Sequence, residues 1–397
     1  MTRALDTVET PTPETSTVDG RADHTPTATT AGPRRTGGRT AWLVGPLRGW
    51  RRPLGRVLLA GPVLWLVFVV THMLMSGRIW WWRPADLVPP LAYVVVPMLL
   101  AIAALPCRRT RWPAVVLSAG ALVIGTSLAG LNVRGPVRGG GPVPPDALRV
   151  VAWNTEYWYE PGQSDEFYDF LRGLDADVYL LQEYLRWPGE PERVHDLDRI
   201  ASQMPGYEVA VAGELITLSR VPIIDHRAID PPELDEPDDT DFPEFWRYKA
   251  LRTDLRVGDT VLSVYNVHIP TPIWVGGPSP FESLFWDVIH TAYVERGPHL
   301  RALARDVAAN DNPVLVAGDM NTTSAMGDTR GFPAGLRDAA YANPALTLGS
   351  WPATGALPAL WRLDWALVSP DVSVHRYEFL DPHGLSDHRV QFLTVTP

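Results

Sequence analysis

Residues 313–321 read PVLVAGDMN. Positions 314–317 form a short apolar run, partly β-branched, which is the composition of a buried strand rather than of a helix. The run passes through Gly318 into Asp319 and Asn321. Polar groups in that place carry information, because the end of a sheet is where a fold can present side chains to a cleft.

The pattern recurs outward from this stretch. LRVVAWN (148–154) ends at Asn154, with Glu156 two residues on. VYLLQE (178–183) ends at Gln182 and Glu183, and VLSVYNVH (261–268) ends at Asn266 and His268. RLDWALVS (362–369) places Asp364 just ahead of its apolar run. In GLSDHRVQFLTVTP (384–397), Asp387 stands beside His388 before an alternating strand. Neighbours on an extended chain point to opposite faces, so these two groups are expected to diverge.

Each feature alone has an ordinary explanation: a strand-end Asn serves a turn, and a single His is satisfied by hydrogen bonds. Together they suit one task. A hard cation needs oxygen ligands such as Glu183. A phosphate needs neutral donors such as Asn154 and Asn321. Attack by water needs a carboxylate or imidazole to orient and deprotonate it. Helical stretches at 167–174 and 299–310 separate the strands, so residues 147–397 are expected to form an α/β sandwich. The single cysteine, Cys107, allows no intrachain disulfide, so that domain must stand on its core.

The N-terminal third differs. Residues 1–146 hold 16 arginines, no lysine and 7 acidic residues, a balance of +9; the other 251 residues hold 19 basic and 38 acidic ones, a balance of −19. Residues 1–40 are rich in Thr, Pro, Gly and Ala without any period, which predicts a disordered cytoplasmic tail. Three runs without Asp, Glu, Lys or Arg follow at 57–75, 87–105 and 113–131. Each is long enough to cross a hydrocarbon core, which predicts three transmembrane helices within a membrane domain at 41–133. Two further spans after the first argue against a cleaved signal peptide. Arg48, Arg51, Arg52 and Arg56 precede the first run, and Arg108, Arg109 and Arg111 lie between the second and third. The positive-inside bias then puts the N-terminus in the cytoplasm and everything beyond residue 132 outside the cell. Residues 134–146 (RGPVRGGGPVPPD) read as a Gly/Pro linker.

The stretches VAWNTE, LLQE, ITLSRVPI, YNVHIP, VAGDMNTT, RLDWALVS and GLSDH, in that order, resemble the endonuclease/exonuclease/phosphatase superfamily of DNase I-like nucleases, sphingomyelinases and inositol-phosphate phosphatases. The resemblance covers residues 148–397. It implies a four-layer α/β-sandwich, two packed mixed β-sheets flanked by helices, and a hydrolase dependent on Mg²⁺ or Mn²⁺. It implies Glu183 as principal metal ligand, with Asn154, Glu156 and Asp387 close to the ion. Asp319 would orient or deprotonate water, and Asn321 and Asn154 would meet phosphate oxygens. His388, oriented by Asp364, would contact the scissile phosphate, and His268 matches the second histidine. The sequence offers no evident acidic partner for His268.

Substrate is a separate question. Nucleic-acid binding calls for a basic surface, whereas this domain is strongly acidic, and residues 230–244 (DPPELDEPDDTDFPE) add a further acidic loop. After His268 comes an apolar stretch with Ile273, Trp274, Val275, Phe281, Leu284, Phe285 and Trp286. It either packs beneath a long loop or forms a rim that touches a bilayer. Three spans, a short linker and an external catalytic domain resemble the teicoplanin-resistance-associated membrane proteins, which are implicated in dephosphorylating a polyprenyl diphosphate carrier. The expected partners are therefore the lipid bilayer and a lipid-linked phosphate. An anchored extracellular nuclease and a non-catalytic membrane sensor are the alternatives.

Overall fold

Two six-stranded sheets pack face to face, with helices outside them. The computed structural model describes residues 45–138, 142–156, 164–184, 197–235, 243–274 and 276–397. The expected tail at 1–40, residues 139–141 of the expected linker, 236–242 of the acidic loop, and Val275 lie outside the described residues. Residues 52–397 form one compact unit.

In chain order the elements are α1 (Gly45–Met75), α2 (Ala92–Ala104), α3 (Arg111–Leu128), α4 (Gly135–Arg138), β1 (Leu148–Asn154), α5 (Ser164–Leu174), β2 (Val178–Gln182) and α6 (Leu197–Gln203). Then come β3 (Glu208–Ala212), β4 (Leu215–Ser219), β5 (Ile223–Ala228), α7 (Pro243–Arg247), β6 (Ala250–Val257) and β7 (Thr260–His268). The chain closes with α8 (Ser283–Ala308), β8 (Val314–Asp319), β9 (Arg337–Asp338), β10 (Asp364–Val368), β11 (Ser373–Leu380) and β12 (Val390–Thr396). One sheet runs β11-β12-β1-β2-β4-β3 and the other β5-β6-β7-β8-β10-β9. Both are mixed: β1–β2 and β7–β8 are parallel pairs and the rest are antiparallel.

The central strands β1, β2 and β8 are mainly apolar and buried because both of their faces are covered. Val150 and Ala152 of β1 and Leu180 of β2 face Val264, Leu315 and Ala317 of the other sheet. The alternate residues Val151, Trp153 and Leu181 pack outward on Phe167, Tyr168 and Leu171 of α5. Tyr265, Val267 and Val316 do the same against Leu300, Leu303 and Val307 of α8. This is the expected four-layer order.

Helix α8 starts sixteen residues before the expected 299. The Gly297-Pro298 pair reads as a helix start, yet the helix runs through it, because Phe285 and Ile289 in its first turns are buried with Ile273. The apolar stretch before α8 therefore divides. Ile273 and Phe285 face inward against Trp80, while Trp274, Phe281 and Leu284 stay exposed.

At the N-terminus, two helices are long and apolar enough to cross a membrane, Gly55–Met75 and Arg111–Leu128. The middle expected span is not one helix. A 3-10 helix at Trp80–Leu87 meets α2 at 66°, and the two pass as a span only as a bent pair. Pro89 and Pro90 lie at the break, where proline denies the chain backbone donors. The thirteen residues of α2 reach about 20 Å alone, against a hydrocarbon core of about 30 Å.

The chain just ahead of the expected linker is tied to the sandwich. The Asn132 amide donates to the carbonyls of Ala340 at 2.7 Å and Asn343 at 2.8 Å, its Oδ1 accepts from the Gly135 N–H at 3.2 Å, and residues 135–138 are helical. The apolar helices also touch the sandwich directly. His72 Nε2 lies 3.0 Å from the Ala325 carbonyl, and the Gly327 N–H donates to Ser76 Oγ at 2.8 Å.

Candidate active site

Register brings the strand ends to one rim. Asn154 pairs with Gln182 across β1–β2, His268 with Asp319 across β7–β8, and Asp364 with Asp319 across β10–β8. Gly318 is required where β8 passes β7: a Cβ there would lie 2.1 Å from the Val267 carbonyl oxygen. Beneath the rim, Gln182 donates to Asn266 Oδ1 at 2.6 Å, and Asn266 donates to the Leu181 carbonyl at 2.9 Å, a buried amide bridge between the sheets.

Asp319 is the centre. Its Oδ2 accepts from Asn154 Nδ2 at 3.1 Å and from Asn321 Nδ2 at 3.0 Å. The Nε2 atoms of His268 and His388 each lie 3.7 Å from the same oxygen. Asn154 Nδ2 also donates to Glu183 Oε1 at 3.0 Å, and His268 Nε2 is 3.6 Å from that oxygen. Six expected residues, Asn154, Glu183, His268, Asp319, Asn321 and His388, thus converge within direct reach of one another. Asp364 completes the set, with Oδ2 at 2.9 Å from His388 Nδ1.

Glu156 and Asp387 join through the backbone, as the Asp387 N–H donates to Glu156 Oε2 at 2.7 Å. The Asp387 carboxylate accepts from the Trp351 indole at 2.7 Å. The expected divergence of Asp387 from His388 is not realised, since Asp387 Oδ1 lies 3.9 Å from His388 Nε2. Strand β12 begins only at Val390, so both residues sit in a bend, and strand alternation does not govern them.

Sequence reasoning missed the partner of His268. Glu214 Oε1 is 2.9 Å from His268 Nδ1 and also receives a hydrogen bond from Lys249 Nζ. Glu214 stands just ahead of β4 as Asp364 stands at the head of β10. The same signal was therefore present in AGELITLS. Each imidazole has a carboxylate on Nδ1 and turns Nε2 toward Asp319.

Charge follows from these contacts. Burial pushes the Glu183 carboxyl up to about 7, against the downward pull of His268. Burial would raise Glu214 too, but His268 and Lys249 beside it bring it down to about 2. Burial opposes charge on His268, yet Glu214, Glu183 and Asp319 raise it. His388 is likewise opposed by burial and is carried well above its ordinary value by Asp364 and Asp319. Asp319 is raised, by burial first and then by Asp364.

Three of the site's residues occupy the left-handed backbone region without being glycine: Glu156 (φ 48°), Glu183 (φ 56°) and Asn321 (φ 45°). Such conformations cost on the order of 1 kcal/mol each and persist where surroundings enforce them. At Asn321 the enforcing group is Arg296 of α8. It donates to the Asn321 carbonyl at 3.2 Å, to Thr322 Oγ1 at 2.7 Å and to the Pro270 carbonyl, and it pairs with Asp328 at 3.3 Å. Asp328 in turn holds Arg83, with Nη2 to Oδ1 at 2.8 Å.

The donor set fits a hard divalent cation. Glu183, Glu214, Asp319, Asp364 and Asp387 face only Lys249, His268 and His388 as cations among the ion pairs of the described residues. A phosphate could not enter such a surplus of negative charge unaided. Ligand atoms of Asp319, Asp364 and His388 also lie within 4.8 Å of one another. In that trio, however, His388 Nδ1 and Asp364 Oδ2 already engage each other, which leaves Glu183, Glu156, Asp387 and Asn154 as the better donors.

The model of the Endonuclease/Exonuclease/phosphatase family matches residues 131–388. No curated protein matches the chain. An endonuclease/exonuclease/phosphatase from Beutenbergia cavernae is 17% identical with a TM-score of 0.43, over 63% of this chain and 71% of that one. A mannosyl-6-phosphatase of Bacteroides thetaiotaomicron is 15% identical with a TM-score of 0.43, over 63% of this chain and all (100%) of that one. A 3′ phosphatase from Neisseria bound to a product DNA hairpin is 16% identical with a TM-score of 0.44, over 62% of this chain and 98% of that one. On the family match and the residues gathered at the rim, the chain belongs to the endonuclease/exonuclease/phosphatase family.

Proposed function

We propose that this hydrolase of phosphate esters is anchored in the cell membrane by three spans, with its catalytic domain outside the cell. There it acts on a lipid-linked phosphate or diphosphate of the polyprenyl diphosphate type. The supporting observation is the direct packing of the apolar helices on the catalytic loop. His72 and Ser76 bond to Ala325 and Gly327, four and six residues past Asn321. Exposed Trp274, Phe281 and Leu284 belong to the stretch that packs on Trp80, which suits contact with a lipid surface.

In this reading Asp319 accepts the proton of the attacking water. His388, charged and held by Asp364, faces the phosphate oxygen where negative charge grows. His268 is held by Glu214 in the same manner. Asn321 and Asn154 orient phosphate oxygens, for which each must turn one amide hydrogen from Asp319. Glu183, Glu156, Asp387 and Asn154 would hold Mg²⁺ or Mn²⁺, which when bound polarises the phosphoryl group.

Phosphate release from polyprenyl diphosphate by the full chain in detergent, with Mg²⁺ or Mn²⁺, is the test. Release supports the proposal. Plasmid cleavage without lipid turnover supports a nuclease instead. Absence of both, with cellular phenotypes that survive Glu183→Gln and His388→Ala, supports a sensor.

A further inference from the structure

A cavity of about 680 Å³ lies where the apolar helices meet the sandwich, and none of the nine expected site residues lines it. One wall comes from the ends of the membrane-type segments: Pro90 and Leu91 ahead of α2, and Ala129 and Leu131 after α3. The opposite wall comes from the catalytic domain and includes Tyr341 and Leu348. Two more of its residues follow catalytic ones in sequence: Trp365 follows Asp364 and Arg389 follows His388. On β10 successive side chains face opposite ways, so the cavity lies behind the catalytic pair rather than within its cleft.

Its charge contrasts with the acidic domain around it. Arg134, Arg337, Arg362 and Arg389 line the cavity against one carboxylate, Asp338. Arg362 takes both oxygens of Asp338, at 2.6 and 2.7 Å. Arg337 donates to the Val372 carbonyl at 3.0 Å and lies over the Tyr341 ring. Among the described residues, Arg134 and Arg389 have no carboxylate partner. Planar guanidinium forks with no counter-ion match phosphate oxygens in shape and charge. A free phosphate would gain nothing from the leucine and proline wall, whereas a phosphate that carries an apolar tail uses both sides. The volume lies within the range of small-molecule sites, about 300–1,000 Å³.

We propose that this cavity binds the phosphate headgroup of a membrane lipid, with the headgroup between Arg134 and Arg389 and the tail along Leu91 and Leu131. It deepens the reading of the domain as a lipid-phosphate hydrolase, and rests on that reading for its purpose: to hold such a lipid beside the catalytic rim.

The test uses the full chain in detergent micelles and reads binding directly, by native mass spectrometry. The probes are phosphatidic acid, diacylglycerol and inorganic phosphate. The wild type should retain phosphatidic acid, bind diacylglycerol at least about tenfold more weakly, and need millimolar inorganic phosphate for competition. Arg134→Gln/Arg389→Gln should weaken phosphatidic acid binding by about tenfold or more. Equal retention of diacylglycerol, or competition by inorganic phosphate at the lipid's own concentration, overturns the proposal in the wild type alone, whether or not the variant folds. Undiminished binding by a folded variant overturns it too. Failure of the catalytic reading looks different: the chain would bind phosphatidic acid through these arginines yet release no phosphate from any ester.

Discussion

Glu214 Oε1 lies 2.9 Å from His268 Nδ1, and Asp364 Oδ2 lies the same 2.9 Å from His388 Nδ1. Each buried carboxylate–imidazole pair thus spans the two sheets, Glu214 beside β4 with His268 of β7 and Asp364 of β10 with His388 beside β12, and both pairs face Asp319. A carboxylate on Nδ1 fixes the tautomer and favours the charged ring. The site therefore offers two held cations and one base.

Glu214→Gln tests the first pair. The neutral amide keeps the shape but leaves Lys249 without its charge partner in a buried place, which costs on the order of 3 kcal/mol. The melting temperature should fall, and kcat on a soluble aryl phosphate should drop by about 10²-fold or more. Unchanged kcat would remove His268 from the chemistry.

Asp364→Asn and His388→Ala test the second pair together. Each alone should reduce kcat by about 10²–10⁴-fold. Because Asp364 acts through His388, the double variant should be no slower than His388→Ala alone. Additive losses would mean that Asp364 has a separate task.

Glu183→Gln separates metal binding from packing. Burial outweighs the pull of His268 and makes the Glu183 carboxylate costly, and its removal relieves that cost. The metal-free variant should melt no lower than the metal-free wild type. Added Mg²⁺ or Mn²⁺ should raise the melting temperature of the wild type, by mass action on the folded state, and not of the variant. Turnover should be lost in the variant and in chelator-treated wild type.

His299, inside α8, sets an acid limit. Burial first, then Lys249, Arg296 and Arg247, lower it to about 3 from 6.5, and its Nε2 has no hydrogen-bond partner. Between those values the unfolded chain binds the proton that the folded chain refuses, so stability falls as pH falls from 6.5 toward 3. At pH 4 the loss from this residue is about 3 kcal/mol. Urea melts at pH 7 and pH 4 should show a smaller difference for His299→Leu than for the wild type.

The rim was legible because its residues end apolar strands, and strand ends are readable from one sequence. Asn154, Glu183, His268 and Asp319 were all found that way. Glu214 escaped because a glutamate after a turn glycine is an ordinary surface pattern, and only the packing of β4 against β7 of the other sheet brings it to His268. Arg296 escaped for a related reason. It stands mid-helix between Glu295 and Gly297, and nothing local marks it as buried. The middle expected span is a bent pair rather than one helix, because apolar length alone does not register a bend at Pro89-Pro90.

Arg296 grips the carbonyl of Asn321 and, through Asp328, Arg83 beside the end of α1. A helix in a bilayer tilts when its apolar length and the hydrocarbon thickness disagree. In the proposed membrane setting such a tilt would reach the turn at Asn321 through these contacts. Lipid thickness would then be a physical input to the geometry of the phosphate-handling rim.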